Sequence, residues 1–405
     1  MPRNWKATAF GLTVATAAAP AFGQINVLAS FNGSNGQNPE GNLTLSGDTL
    51  YGTTYDGGTN GYGTVFSLPI SGGTPTVLAS FNGTNGQNPY EGGVTLSGTT
   101  LYGTTRSGGA NGYGEVFSLP MTGGTPTVLA SFNAYNGAYP CGGVLTASGN
   151  TLYGTTANGS YGYANSDGEV FSLPITGGTP TVLASFNGSN GNSPLAALTL
   201  SGNTLYGTTY YGGSGNSGYG YGEVFSLPIN GGTPTVLASF NGSNGGEPCA
   251  ELTLTGNTLY GTTYGGGANG YGEVFSLPTI GGTPTVLASF DGSNGSGPFA
   301  GLTLSGSTLY GTTYEGGDNG DGEVFSLPTT GGTPTVLASF DGSNGKWPYA
   351  DLTLSGNTLY GTTYYGGANG VGTVFCVTVP EPASISILAM GAVLVLRRRR
   401  AGYPR

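Results

Sequence analysis

Short bursts of alternating apolar and polar residues, separated by Gly-rich turns, recur along this chain at an interval of about 50 residues. The run Leu-Tyr-Gly-Thr-Thr begins at Leu50, Leu101, Leu152, Leu205, Leu259, Leu309 and Leu359, spaced 51, 51, 53, 54, 50 and 50 residues apart. A period this long signals one supersecondary unit per repeat. Each unit predicts four short strands, written Leu-Thr-Leu-Ser-Gly, Thr-Leu-Tyr-Gly-Thr-Thr, Glu-Val-Phe-Ser-Leu-Pro and Pro-Thr-Val-Leu-Ala-Ser-Phe. Ser-Gly-Asn separates the first two and Gly-Gly-Thr-Pro precedes the fourth, both turn chemistry. Seven units of four strands predict an all-β, seven-bladed β-propeller, with a parallel β-helix as the second choice.

The phase of the repeat supports closure into a ring. The first strand-like segment, about Ile25 to Phe31, is a fourth strand lacking its first three, and the chain's last repeat has three strands lacking their fourth. The opening strand should therefore complete the last blade beside Thr373 to Val379, leaving no blade edge to fray. Within the pentad, Leu and Tyr point to opposite faces of a strand. Both faces of a blade pack on neighbours, so both belong to the core, as do the Phe of Val-Phe-Ser-Leu-Pro and the Leu of Leu-Thr-Leu. The pentad Gly leaves room for close backbone approach. On this reading Leu-Tyr-Gly-Thr-Thr builds blades and is not a catalytic motif.

Composition sharpens the picture. The 405 residues include 81 Gly, 7% charged residues and no His. The regular Leu, Val, Phe and Tyr separate the chain from disordered Gly-rich sequences. Without His, neither a Ser-His nor a Cys-His nucleophile nor a His-containing metal site can form. Cys141 and Cys249 fill the same slot of repeats two apart and Cys376 lies in the last strand. Equivalent slots two blades apart exceed the reach of a disulfide, about 7 Å between Cα atoms, so no disulfide is expected.

The ends read as addresses. Arg3 and Lys6 precede an apolar run that ends in Ala-Phe-Gly, which predicts a signal peptide over residues 1–23, removed by signal peptidase. At the other end, residues 380–405 combine Pro380, Glu381 and Pro382, a short apolar stretch read as a helix, and the block Arg397, Arg398, Arg399 and Arg400. The stretch is short for a bilayer span of about 20 residues, and the arginines would hold its end on the cytoplasmic side. These elements, in this order, closely resemble the PEP-CTERM sorting tail of Gram-negative, exopolysaccharide-producing bacteria. The resemblance implies processing by an exosortase, transient contact with the inner membrane, and release or attachment at the cell surface.

Between the two ends, residues 24–379 hold 18 acidic residues against only Arg106 and Lys346, a net charge near −16. That excess argues against nucleic acid or an anionic membrane as a partner of this domain. The repeat, in its run Leu-Thr-Leu-Ser-Gly-x-Thr-Leu-Tyr-Gly-Thr-Thr with a following Gly-Gly and a later Gly-x-Val-Phe, resembles the tandem repeats called GloVer in the choice-of-anchor family of bacterial surface proteins. That resemblance implies a surface location and no particular activity.

In a blade running up, down, up, down, the link from strand two to three and the link to the next blade fall on one face. The former has nine residues in five repeats, but 12 in Ala157 to Gly168 and 13 in Tyr210 to Gly222. Binding residues concentrate on such loops held by a rigid scaffold. The two long loops carry Tyr161, Tyr163, Tyr210, Tyr211, Tyr219 and Tyr221. An aromatic face with a polar tip stacks on a sugar ring and hydrogen-bonds to it, so polysaccharide is the expected partner; the same rings could instead cover glycine-rich turns.

Two other chemistries have partial support in the sequence. Phe-Asp-Gly-Ser-Asn-Gly at Asp291 and Asp341, with Asp318 and Asp321 nearby in the sixth repeat, resembles part of a Ca²⁺ loop. The other five copies begin Phe-Asn, however, and Asx turns explain the pattern without a metal. Glu115, Glu169, Glu223, Glu273 and Glu323 recur just before the third strand. A carbohydrate-active enzyme needs two carboxylates in distinct environments, whereas these five share one. They read as a solvated ring at the strand edge, and the chain as a non-enzyme or a structural spacer of the matrix.

Overall fold

The computed structural model describes residues 23–90, 92–141, 145–159, 167–213 and 220–379. The signal segment up to residue 22, the C-terminal tail with its helix, and Tyr161, Tyr163 and Tyr219 lie outside them. The described residues form 28 strands, numbered β1 to β28 in chain order, in seven antiparallel four-stranded sheets. The first complete repeat supplies β2 (Thr44–Ser46), β3 (Thr49–Thr54), β4 (Thr64–Pro69) and β5 (Thr76–Ser80). The last holds β26 (Thr353–Ser355), β27 (Thr358–Thr363) and β28 (Thr373–Thr378), and its fourth strand is β1 (Asn26–Ser30), in the order β1-β28-β27-β26. This seven-bladed propeller closes as the phase of the repeat requires.

Seven buried clusters hold the ring together, one at each blade interface. In one of them Tyr51, Val65 and Ala79 of the first blade meet Leu101, Phe117 and Leu119 of the next. At the seam, Tyr360 and Val374 of the last blade meet Leu50, Phe66 and Leu68 of the first. The pentad's Leu and Tyr thus face opposite interfaces, as strand geometry demands. Each interface contains an edge-to-face phenylalanine pair, from Phe31–Phe66 to Phe340–Phe375, with ring centroids 5.0 to 5.2 Å apart.

The pentad glycine makes room for a side chain. A Cβ on Gly103 would lie 2.6 Å from Cζ of Phe117, and the other six copies meet the same ring position at 2.6 to 2.8 Å. The phenylalanine of the third strand lies across the second strand at the one residue with no side chain, in register with it at Gly52↔Phe66.

A second device runs around the inner strands. Thr44 Oγ1 donates to the carbonyl of Val94 in the next blade, and Thr95, Thr146, Thr199, Thr253 and Thr303 repeat the bond to Leu145, Leu198, Leu252, Leu302 and Leu352. Thr353 donates to Leu43 and completes the circle. Every blade is thereby tied to the next by the threonine of its shortest strand.

The five recurring glutamates depart from expectation. Glu115, Glu169, Glu223, Glu273 and Glu323 are 1 to 2% exposed, not solvated. Glu115, Glu223, Glu273 and Glu323 each lie under the second glycine of the preceding loop's Gly-Gly: a Cβ on Gly267 would sit 2.5 Å from the Glu273 carboxyl. A serine of the fourth strand donates to one oxygen, as Ser289 Oγ does to Glu273 Oε1 at 2.9 Å. Burial raises the carboxyls of Glu115, Glu223, Glu273 and Glu323 above their ordinary range, against the lowering effect of that serine. In repeats 1 and 7 threonine fills the slot, and Thr64 and Thr373 bond at 2.8 Å to the pentad hydroxyls of Thr54 and Thr363.

Candidate binding face

The second-to-third links and the blade-to-blade links do share one face, and they are laced together. Gln37 and Asp56 exchange backbone bonds of 2.9 and 3.1 Å, and the N–H of Asn38 donates to Val371 of the last blade at 2.8 Å. Each blade-to-blade link therefore spans its own loop and that of its neighbour, which makes the face a rigid surface built on backbone bonds.

Two of the calcium candidates, Asp291 and Asp341, serve as turn closers. Asp291 Oδ1 accepts from the N–H and Oγ of Ser293 and the N–H of Asn294 at 2.7 to 3.0 Å. Asp341 accepts in the same way from Ser343 and Asn344. These bonds, led by the serine hydroxyl, hold both carboxyls below the usual range. The asparagines of other repeats close the same turn, as Asn82 does with Thr84 and Asn85. Asp321 offers its backbone carbonyl to the N–H of Trp347, and Asp318 lies close enough to Glu323 to add to its upward shift. Among the described residues no three acidic or sulfur side chains converge as a metal site would require. None of the three cysteines is in a disulfide.

Of the predicted tyrosines, the structure brings Tyr210 and Tyr221 to one place. Tyr210 packs on Tyr211 edge to face at 4.6 Å and its hydroxyl donates to Glu247 Oε2 at 3.2 Å. Burial, then the Glu247 charge, push its phenol upward. Tyr221 and Glu247 line a cleft of about 330 Å³ with Tyr264 and the bare backbone of Gly246, Gly265 and Gly266. A second cleft, about 350 Å³, occupies the corresponding position of repeat 7, lined by Lys346, Trp347, Tyr365 and the glycines 342, 366, 367 and 370.

Between these clefts runs a continuous chain of rings: Tyr264, Phe299, Tyr349, Tyr314, Trp347 and Tyr365, with successive centroids 4.8 to 5.7 Å apart. Tyr62 and Tyr271 stand 40 and 45% exposed on the same face. The loop rings therefore both cover glycine turns and remain available to solvent. Length variation among loops points to repeats 3 and 4; the aromatic chain lies in repeats 5 to 7, with three rings on second-to-third loops and three on the blade-to-blade links.

The axial channel was missed altogether. The residue before Leu-Thr-Leu varies freely in an otherwise repetitive sequence, being Asn42, Gly93, Val144, Ala197, Glu251, Gly301 and Asp351 in turn. Of these, Asn42, Ala197, Glu251 and Asp351 line a cavity of about 30 Å³, together with Glu40, Phe299 and Tyr349, room for a water or two. Asp351 accepts from the N–H of Gly301 at 2.5 Å and from Asn42 Nδ2 at 3.1 Å, while its own N–H donates to Asn42 Oδ1 at 2.8 Å. Burial, then the charge of Asp351, push Glu251 up to about 8. The only signal in the sequence was that this slot fails to repeat.

A closed ring of seven near-identical blades, carrying an aromatic-lined face of glycine-rich loops, defines a tandem-repeat β-propeller. The chain belongs to the Gloeobacter/Verrucomicrobia repeat family, whose model matches residues 4–220 and again 214–391. No curated protein matches the sequence. Among solved structures, a putative 6-phosphogluconolactonase from Bacteroides uniformis is similar at 17% identity and a TM-score of 0.51, over 82% of this chain and 96% of that one. A puromycin-hydrolyzing peptidase from Mycobacterium tuberculosis is similar at 13% identity and a TM-score of 0.55, over 90% of this chain; the match spans 56% of the peptidase. At such identities the likeness speaks for the propeller fold alone.

Proposed function

We propose that this chain is an exported, non-catalytic β-propeller of the cell surface or extracellular matrix, and that it binds polysaccharide through its loop face. The observation that carries the reading is the chain of rings from Tyr264 to Tyr365, which ends in two clefts floored by glycine backbone. Rings offer stacking faces, and bare peptide groups offer donors and acceptors to hydroxyls. The tail with Pro380, Glu381, Pro382 and its arginines supports export and sorting by an exosortase.

The carboxylates speak for binding without catalysis. The five buried glutamates have no access to a substrate. Glu251 and Asp351 are close enough for one charge to raise the other's carboxyl, but the space beside them, about 30 Å³, admits water and not a sugar ring. Affinity electrophoresis of the purified full-length protein in gels containing the producer's exopolysaccharide, with and without Ca²⁺, tests the reading. Retardation is expected in both gels; unchanged migration in both would leave the spacer role in its place.

A further inference from the structure

The blade-to-blade link contains one residue held at positive φ in every repeat where it is described: Asn38, Asn88, Tyr139, Ser193, Glu247, Gly297 and Trp347, at φ 54 to 59°. Glycine and asparagine adopt this conformation readily; a bulky aromatic does not. In repeats 1 and 2 the asparagine also works for the fold, since Asn38 Nδ2 and Asn88 Nδ2 donate to the carbonyls of Tyr364 and Tyr55, both at 3.1 Å. Repeat 7 gives up both advantages for an indole. The backbone there is unchanged: Trp347 N–H donates to Asp321 and its carbonyl accepts from Tyr364, both at 3.0 Å. Tyr139, Ser193 and Glu247 also keep side chains other than asparagine at this conformation, so the strain marks the link as a position shaped by more than folding, and what sets repeat 7 apart is the indole together with its neighbour.

The neighbouring residue departs from the pattern too. The slot of Lys346 holds Gln37, Gln87, Ala138, Asn192, Gly246 and Ser296 elsewhere, all uncharged. Lys346 is one of only two basic residues between 24 and 379. Its ammonium sits 4.9 Å from the Trp347 ring centre and 5.9 Å from that of Tyr365, inside the cleft of repeat 7. A flat ring, a second ring at 66° to it and a single cation thus converge over a floor without side chains.

We propose that this cleft is the subsite for an acidic sugar of the uronate class. Trp347 stacks on the pyranose ring, Tyr365 walls it, and Lys346 pairs with its carboxylate. The proposal rests on the polysaccharide reading above and gives it a substrate class. The Asp321 carboxylate lies beside Gly342 of the floor, and Lys346 is the cation that offsets it; acidic groups beyond about 8 Å are screened at physiological ionic strength.

The test uses purified full-length protein with oligogalacturonate and with neutral dextran oligomers of equal length, by calorimetry. Oligogalacturonate should bind at least about tenfold more tightly, the scale of one charge-assisted bond. Lys346→Gln should abolish that preference, bringing oligogalacturonate binding down to the level of dextran. Trp347→Asn installs the residue that repeats 1 and 2 already carry at this slot; it should fold and lose about tenfold or more for both oligomers. If Trp347→Asn does not fold, Lys346→Gln decides. Equal affinity for the two oligomers, or a preference that survives Lys346→Gln, overturns the acidic-sugar assignment and leaves the polysaccharide reading standing. Binding of neither oligomer counts against both.

Discussion

Replacing the buried glutamate of repeat 5 by its amide, Glu273→Gln, should make the protein more stable, and should do so only where the carboxyl would be charged. Glu273 is 2% exposed. Oε1 accepts from Ser289 Oγ at 2.9 Å and, as its downward influences show, from the backbone of Ala268. Oε2 is buried with no hydrogen-bond partner. A buried polar atom left in that condition costs about 1 to 3 kcal/mol. Glutamine keeps the accepting oxygen and turns the orphan into a donor, in a place where the threonines of repeats 1 and 7 find a hydroxyl to bond.

The pH dependence follows from the direction of the shift. Burial raises the folded carboxyl above its unfolded value. The folded state therefore binds more protons, and the wild type loses stability as pH rises from the unfolded value, about 4.3, to the raised folded one. The variant lacks that loss. Its advantage should be about 1 to 3 kcal/mol at pH 8 and fade toward zero near pH 4. For a unit of about 350 residues, with about 2.1 cal/mol/K of unfolding entropy per residue, that is about 1 to 4 °C in Tm. Thermal and urea melts of both proteins at pH 4, 6 and 8, followed by circular dichroism, give the comparison. A variant less stable than wild type at pH 8, or one with the same gain at every pH, would refute the reasoning.

Three further outcomes are expected. Gly103→Ala drives a methyl to 2.6 Å from the Phe117 ring; overpacking of this kind costs about 1 to 3 kcal/mol, and chemical denaturation should show it. Asn42→Ala removes two bonds to Asp351 across the seam between last and first blades; a loss of about 1 to 3 kcal/mol should appear as faster amide exchange in β1 and β26 to β28. Glu251 should titrate near 8 when its carboxyl carbon is followed by NMR, and Asp351→Asn should lower that value because the neighbouring charge is gone.

The fold was legible because each blade writes its own turn chemistry, and because the odd strand at the start complements the odd gap at the end. Burial of the glutamates was not legible. A carboxylate before a strand reads as solvated until one sees that Ser289 lies opposite Glu273 in the next strand and that Gly267 leaves its carboxyl a slot. The axial slot was hidden for a different reason. Asn42, Glu251 and Asp351 are separated by 209 and 100 positions along the chain, and they meet only once curvature brings the inner strands to one axis. The aromatic chain was half visible. Loop tyrosines were found by composition, whereas Tyr349, Phe299 and Trp347 belong to links whose path could not be read from a pattern of strands.

The pairing of β1 with β28 also orders events in time. The strand β1 finds its partner only after about 350 further residues have been made, since Asn26 lies opposite Cys376. Contacts this distant in sequence form slowly. Until they form, β28 presents open backbone groups and the seven-bond threonine circle has a gap. A chain in which β1 and β28 have not yet paired is therefore an open arc with adhesive ends. The correct partner of each is at hand, tethered to the same molecule, so that for this protein joining its own two ends competes directly with joining another copy.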